Sequence, residues 1–174
     1  MRLAYVDPPY YGMAEKFYGH LHPEAARYDS LDAHAELIDR IAADYDGWAF
    51  SMTSTNLRDL LPLFPTDARV AAWVKPFASF KLGVNPTYTW EPVVFRPAPR
   101  KHDTTKPTVR DYIAAPITLK KGLVGAKPEP FCRWVMDLMR WQPGDQVDDV
   151  FPGTGVFGRV VAAADMELDF GGAA

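Results

Sequence analysis

The sequence predicts an α/β fold: a three-layer sandwich in which helices cover both faces of a sheet. Short apolar runs typical of buried strands alternate along the chain with longer runs whose apolar residues recur at helical spacing. Such alternation favours a layered α/β arrangement. Hydrophobic residues make up 48% of the 174 residues, which is enough to form a core. We therefore expect one domain spanning residues 1–174.

The elements are predicted in the following order. Strands are expected at 3–6, 48–52, 70–74, 88–95, 147–151 and 166–170. Helices are expected at 31–45, 56–64, 129–142 and 156–164. The polar, aromatic segment 11–28 is expected to form a long loop over the strand ends.

Local signals mark where several helices begin and end. Asp29 or Ser30 is a suitable N-cap for the first long helix, and Asp46 with Gly47 ends it. On that helix His34 is expected to face solvent. Cys132 falls inside a predicted helix, where a role in packing is favoured over reactivity.

Composition excludes several classes of protein. The net charge of −3 gives no global attraction to polyanions, so any nucleic-acid contact must come from a local patch. The single cysteine excludes an internal disulfide and, with no signal peptide, favours a cytoplasmic protein. No apolar run approaches the ~20 residues of a membrane span. Neither a membrane association nor a metal site is expected.

Segment 96–126 differs from the rest of the chain because it is basic, rich in proline and without clear periodicity. Its candidate phosphate contacts are Arg100, Lys101, Lys106, Arg110, Lys120 and Lys121. Lysine and arginine side chains neutralise backbone phosphates and release counterions. The segment is thus interpreted as a nucleic-acid contact or target-recognition insertion, and a solvated loop is the alternative.

Asp7-Pro8-Pro9-Tyr10 follows the first predicted strand. In open α/β sheets, ligands bind outside the carboxyl ends of strands. The two prolines fix the backbone and remove N–H donors, leaving carbonyls free to accept hydrogen bonds. With the Asp7 carboxylate and the Tyr10 ring, this segment suits a planar group with an exocyclic NH2, such as adenine or cytosine. An ordinary strand-to-turn junction is the alternative.

A second segment, Asp149-Val150-Phe151-Pro152-Gly153-Thr154-Gly155, combines a strand end, a glycine turn and a helix start. Glycine allows the backbone to approach a ligand closely, and a helix N-terminus offers free N–H groups. An acidic residue at the strand end can accept a hydrogen bond from a hydroxyl or ammonium group. The segment lacks the pattern of a nucleoside-triphosphate loop, which argues against a kinase or an ATPase.

Together, these two segments resemble the paired motifs of amino-group DNA methyltransferases, which modify adenine N6 or cytosine N4. Their order, with the Asp7–Tyr10 motif first and the glycine turn last, resembles the circularly permuted β class of that family. Lys127-Pro128 is similar to the Lys-Pro element that precedes the glycine turn there. Trp73-Val74-Lys75-Pro76 and Trp90-Glu91-Pro92-Val93 are similar to later strands of the family. The resemblance covers nearly the whole chain.

The resemblance implies a Rossmann-like methyltransferase fold that is circularly permuted and shortened at its C-terminus. It implies S-adenosylmethionine as cofactor and duplex DNA with a flipped base as partner, with adenine favoured over cytosine. Implied catalytic residues are Asp7, Pro8, Pro9 and Tyr10. Implied cofactor contacts are Lys127, Pro128, Asp149, Phe151, Gly153, Thr154 and Gly155.

The sequence departs from the family pattern after the glycine turn, where few residues follow. A ribose contact there falls to Glu167 or Asp169, and a homodimer or a heteromeric partner is an alternative means of completing the cofactor site. RNA or a small molecule is an alternative acceptor, and a catalytically inactive binding subunit is an alternative role. Lys75 is interpreted either as a substrate contact or as a surface charge.

Overall fold

Six strands form one central sheet in this computed structural model, which describes residues 1–20, 23–77, 82–101, 104–105, 107–118 and 126–171. The side chains of residues 23 and 167–171 are not described. The strands are β1 (Arg2–Val6), β2 (Gly47–Ser51), β3 (Arg69–Val74), β4 (Trp90–Arg96), β5 (Tyr112–Ala114) and β6 (Gln146–Asp149). Their order across the sheet is β5-β3-β4-β2-β1-β6.

The direction of the strands gathers most of their carboxyl ends at one edge of the sheet. β1 pairs in parallel with both β2 and β6, and β3 pairs in parallel with β5. β4 runs antiparallel to its two neighbours, β2 and β3. The carboxyl ends of the five other strands therefore meet at one edge, here called the carboxyl edge, together with the start of β4.

Helices cover both faces of the sheet. They are α1 (Ala14–Tyr18), α2 (Leu31–Asp44), α3 (Leu57–Leu60), α4 (Glu129–Leu138) and α5 (Val156–Gly171). On one face, side chains of α2 and α3 pack with Val6 and Phe50 of the sheet. On the other face, side chains of α4 and α5 pack with Tyr5 and Trp73. Burial of these apolar surfaces drives the assembly and confirms the predicted three-layer α/β sandwich.

Two predicted elements differ from the structure. Residues 166–170 were expected to form a strand, but they continue α5, which runs from Val156 to Gly171. No glycine or proline separates 164 from 166, so nothing local ends the helix there. The predicted loop 11–28 contains α1 and a 3-10 helix at Pro23–Asp29. The side chains of Glu167 and Asp169 lie outside the described residues.

At the start of α2, one prediction is confirmed and one is wrong. The Ser30 hydroxyl caps the helix by accepting a hydrogen bond from the Asp32 amide. His34 does not face solvent: it is 1% exposed and lies among aromatic rings, including Tyr28 at 5.7 Å between centroids. The spacing to Leu37 and Ile38 places His34 on the buried face of the helix. Burial also lowers the pKa of His34.

Helix α4 begins as predicted and ends earlier. Glu129 is its first residue, and Leu138 rather than residue 142 is its last. Arg140 adopts a left-handed conformation, with φ at 59°, which reverses the chain before Pro143. The Cys132 side chain on α4 is fully buried, and burial raises its pKa to about 12, which confirms a role in packing.

The basic segment 96–126 contains β5, which adds a short parallel strand next to β3 at the edge of the sheet. Of its predicted phosphate contacts, Lys106, Lys120 and Lys121 lie outside the described residues. None of the described helices is long and apolar enough to cross a bilayer.

Candidate functional site

The two sequence motifs meet at the carboxyl edge, on neighbouring strands. Asp7 follows β1, and Asp149 is the last residue of β6, which pairs directly with β1. Helix α2, which comes after β1 and α1, and helix α5, which follows β6, pack on opposite faces of the sheet. In open α/β sheets this arrangement leaves a crevice outside the ends of the two strands, here called the crevice. The position is where an open α/β sheet binds its ligands.

The chain around Asp7 is anchored before and after the turn. Before it, the Tyr5 ring stacks on Phe157 at 4.4 Å between centroids. After it, the Asp29 carboxylate accepts hydrogen bonds from the amides of Ala14, at 2.8 Å, and Glu15, at 3.0 Å. These two amides belong to the first turn of α1, whose free N–H groups would otherwise have no partner. The segment from Asp7 to Tyr10 is thus held at both ends.

A cluster of charged and polar side chains surrounds Asp7. Its members, here called the charged cluster, are Asp7, Tyr10, Lys75, Glu91 and Lys127. The Lys127 ammonium lies 3.3 Å from Asp7 Oδ1, 3.2 Å from Glu91 Oε2 and 3.0 Å from the Tyr10 hydroxyl. The other Glu91 oxygen, Oε1, forms an ion pair with Lys75. The Lys127 side chain is 8% exposed and Glu91 15%, so these contacts are shielded from solvent.

Burial and neighbouring charges act differently on the members of the charged cluster. Burial raises the pKa of Asp7, and Lys127 opposes the rise. Burial also acts to raise the pKa of Glu91, but Lys127 and Lys75 outweigh it and the pKa is lowered. Although burial works to lower the pKa of Lys127, Asp7, Tyr10 and Glu91 raise it well above its usual value. Lys127 is therefore a permanent cation here.

Trp73 of β3 lies beneath the two lysines. Its ring centroid is 4.9 Å from the Lys75 ammonium and 5.4 Å from that of Lys127, within the range of cation–π interactions. The indole N–H donates to the Ala115 carbonyl at 2.8 Å, which fixes the ring. Sequence reasoning missed Trp73 and Glu91 as parts of the site. The available signal was Glu91 itself, a charged residue near the start of a strand that is apolar from Pro92 to Phe95.

The glycine turn after β6 has the backbone that its sequence predicts. Gly153 and Gly155 adopt φ values of 47° and 66°, a region in which a side chain is strained. The Gly155 amide donates to the Pro152 carbonyl at 2.6 Å, and Arg159 donates to the Thr154 carbonyl at 2.9 Å. The turn leads directly into α5, and the first amides of a helix have no partners within the helix.

Asp149 carries a buried acceptor that the described part of the protein does not use. Its Oδ1 atom is buried and has no hydrogen-bond partner among the described residues. Burial raises the pKa of Asp149 to about 6; the charge of Asp7 adds to the rise, and the Gly158 amide opposes it. A buried acceptor without a donor is costly, and a donor from a ligand would remove that cost. The position therefore fits an ammonium or hydroxyl group.

The remaining predicted cofactor contacts lie around this turn or at the charged cluster. The Phe151 ring meets the edge of Tyr28 at 5.3 Å between centroids. Pro128 is the N-cap of α4, and its carbonyl accepts from the Cys132 amide at 3.2 Å. Lys127, by contrast, points to Asp7 and Glu91, which places it at the Asp7 side of the crevice.

The described basic residues of segment 96–126 lie away from Asp7. Arg100 forms an ion pair with Asp145 at 2.8 Å, just before β6 begins, at the edge opposite the carboxyl edge. Lys101 follows it and is exposed. Arg110 precedes β5 and donates to the Tyr112 hydroxyl at 3.1 Å. The structure does not bring these three side chains to the turn at Asp7.

Comparison with known proteins supports the fold. No family model matches this sequence, and neither does any curated protein sequence. Among solved structures, the crystal structure of the M1.HpyAVI–SAM complex superposes with a TM-score of 0.60 at 14% sequence identity. The match covers 94% of this chain and 78% of the other. At this identity the likeness is one of fold, and the chain accordingly has the Rossmann-like α/β fold of methyltransferases.

Proposed function

We propose that this protein is an S-adenosylmethionine-dependent methyltransferase that methylates the exocyclic N6 of adenine in DNA. The observation that carries the proposal is the placement of Asp7 and Asp149 at the carboxyl ends of adjacent parallel strands. A methyl donor and an amine acceptor must lie in contact for transfer, and two facing sites on neighbouring strands meet that need.

The proposed donor site consists of Asp149, Phe151 and the glycine turn. The unpartnered Asp149 oxygen suits a positively charged or hydroxyl-bearing ligand, and Gly153 leaves the backbone open to close approach. S-adenosylmethionine fits this donor set because it carries an ammonium group and hydroxyl groups. When bound, it supplies an electrophilic methyl group. Lys127 and Pro128 are assigned to the boundary between the donor and acceptor sites.

The proposed acceptor site is the segment from Asp7 to Tyr10. An exocyclic amine on adenine is a weak nucleophile because its lone pair is delocalised into the ring. The Asp7 carboxylate and the Pro8 carbonyl can accept hydrogen bonds from the two N–H groups of this amine. Those hydrogen bonds favour a tetrahedral nitrogen whose lone pair is free to react. The Asp7 carboxylate then stabilises the positive charge that develops on that nitrogen. Because the target base must leave the duplex to reach this site, we assign the Tyr10 ring to stacking on it.

Contacts to the flanking nucleic acid are assigned to the basic residues of segment 96–126. Lys101 and Arg110 are exposed and suited to phosphate contact, whereas Arg100 is already paired with Asp145.

RNA or a small molecule is the second candidate acceptor. The observation that favours it is the position of Arg100, Lys101 and Arg110 at the edge opposite Asp7, which weakens the case for a duplex held across the crevice. Affinity for a duplex that falls steeply with rising salt would support nucleic acid as the substrate.

One experiment separates these outcomes. The protein is incubated with methyl-labelled S-adenosylmethionine in three parallel reactions, which contain unmodified duplex DNA, single-stranded RNA or free adenosine. The products are then digested to nucleosides. Label in N6-methyldeoxyadenosine is the expected result. Label in a ribonucleoside or in free adenosine would redirect the substrate. Donor binding by calorimetry without transfer to any acceptor would leave a binding subunit, and absence of donor binding would refute the methyltransferase assignment.

A further inference from the structure

Glu91 is the residue that joins the parts of the charged cluster to one another. Its Oε2 atom lies 3.2 Å from the Lys127 ammonium and accepts the Tyr10 hydroxyl hydrogen at 3.2 Å. Its Oε1 atom pairs with Lys75. The same Tyr10 hydroxyl lies 3.5 Å from Asp7 Oδ1, a longer distance that makes Glu91 the preferred acceptor. Glu91 itself lies at the start of β4, on the far side of Lys127 from Asp7.

The charges of the cluster balance only when Glu91 is present. Two lysines face two carboxylates, and the Lys127 ammonium is shared between Asp7 and Glu91. Removing the charge of Glu91 would leave Asp7 as the sole carboxylate partner of Lys127 within the cluster. The ammonium would then neutralise the group that has to stabilise a positively charged amine.

The geometry at Asp7 shows what this sharing preserves. Lys127 and Tyr10 both approach Oδ1, and no described residue donates a hydrogen bond to Oδ2. One oxygen of the carboxylate is thereby fixed by the protein while the other stays open to a ligand. An ammonium drawn fully onto Asp7 would compete for both oxygens, since a lysine side chain is a mobile point charge.

We propose that Glu91 is a positioning residue for methyl transfer, which holds Lys127 and the Tyr10 hydroxyl so that the Asp7 carboxylate keeps an open oxygen and its charge for the acceptor amine. This proposal rests on the proposed function and adds to it a residue that touches neither the donor nor the reacting nitrogen. It acts through Lys127 and Tyr10.

The test is a double-mutant cycle measured as the rate of single-turnover transfer at saturating S-adenosylmethionine. Glu91→Gln should lower the rate about 10- to 100-fold, less than the roughly 10²- to 10³-fold loss on removing a direct transition-state contact, because Glu91 acts through Lys127 and Tyr10. In a Lys127→Met background the same change should cost less than about 3-fold, because the misplaced ammonium is gone. An equal cost in both backgrounds, or no cost in the first, would overturn the proposal.

Two further variants control for simple loss of structure. Glu36→Gln makes the same change in a glutamate of α2 that forms an exposed ion pair with Arg27. This variant should leave the rate unchanged. Glu91→Asp keeps the charge and should recover part of the rate. If Glu91→Gln melts at a much lower temperature than the wild-type protein, the proposal is tested with Glu91→Asp instead. A folded Glu91→Asp variant with a rate as low as that of Glu91→Ala would overturn the proposal.

A titration of Asp7 gives a readout that does not need turnover. The titratable groups that act on Asp7 or respond to it are Tyr5, Tyr10, Tyr18, Glu91, Lys127, Cys132 and Asp149. The negative charge of Glu91 raises the pKa of Asp7, so Glu91→Gln should move its midpoint to lower pH, measured from the carboxyl carbon by NMR. An unmoved midpoint refutes the coupling. A moved midpoint in a protein that methylates nothing would instead refute the proposed function.

Discussion

The two sides of the crevice differ in whether their charged and hydrogen-bonding groups already have partners within the protein. On the Asp7 side, the charges of the cluster are paired with one another and largely buried. On the Asp149 side, a buried oxygen has no described partner and the pKa is raised to about 6. On the proposed function, the acceptor side is organised before any ligand arrives, whereas the donor side is completed by its ligand.

The largest effect is expected from Asp7→Ala. The variant should lose methyl transfer by roughly 10³-fold or more, because no other group at the turn can stabilise charge on the amine. Its affinity for S-adenosylmethionine should change little, since Asp149 supplies the donor site. Transfer assays and calorimetry measure the two effects separately. Asp39→Ala, an exposed aspartate on α2, is the control, and near-normal turnover by Asp7→Ala would remove Asp7 from the mechanism.

Asp149→Asn should affect donor binding, which Asp7→Ala is expected to leave nearly unchanged. Loss of a charged acceptor should weaken S-adenosylmethionine binding by about 10- to 100-fold, measured by calorimetry at pH 7.5. Asp148→Asn is a matched control one residue away, because Asp148 is bound by Tyr45 at 2.8 Å and lies outside the crevice. Equal loss of affinity in both variants would show that the effect belongs to β6 as a whole rather than to the open oxygen.

The pH dependence of donor binding should follow the ionisation of Asp149. The charged carboxylate is the binding form, so affinity should rise with pH through about 6. Between pH 5 and pH 7 the dissociation constant should fall by about tenfold, as expected for one titrating group. Asp149→Asn should have a nearly flat profile. A midpoint near 4 in the wild-type protein would contradict the raised pKa.

The last prediction concerns stability without ligand. Because the pKa of Asp149 is higher in the folded than in the unfolded chain, its ionisation destabilises the fold as pH rises from about 4 through about 6. Asp149→Asn cannot ionise, so at pH 8 its melting temperature should exceed that of the wild type by about 5–10 °C, since raising the pKa of Asp149 to about 6 corresponds to roughly 3 kcal/mol. At pH 4 the two proteins should melt together. A lower melting temperature for the variant at pH 8 would contradict this account.

What the sequence predicted, and what it did not, follows from the range of the interactions. The turns at Asp7–Tyr10 and at 149–155 are specified locally, by prolines and by glycines with positive φ, and both could be recognised from their residues alone. Glu91 and Lys75 are 16 positions apart and join through strand pairing, which no local pattern reveals. His34 was assigned to the wrong face because a polar residue on an apolar stripe was read by its type rather than by its spacing.

The grip of Asp29 on the amides of Ala14 and Glu15 has a consequence for substrate choice. A turn fastened at both ends has little freedom to reshape itself around an incoming nucleotide. On the proposed function, the conformational change that fits the nucleotide to this site then occurs mainly in the nucleic acid, where the nucleotide has to unstack and unpair. Adenines in mismatched, frayed or unpaired positions require the least of that work and should be modified fastest.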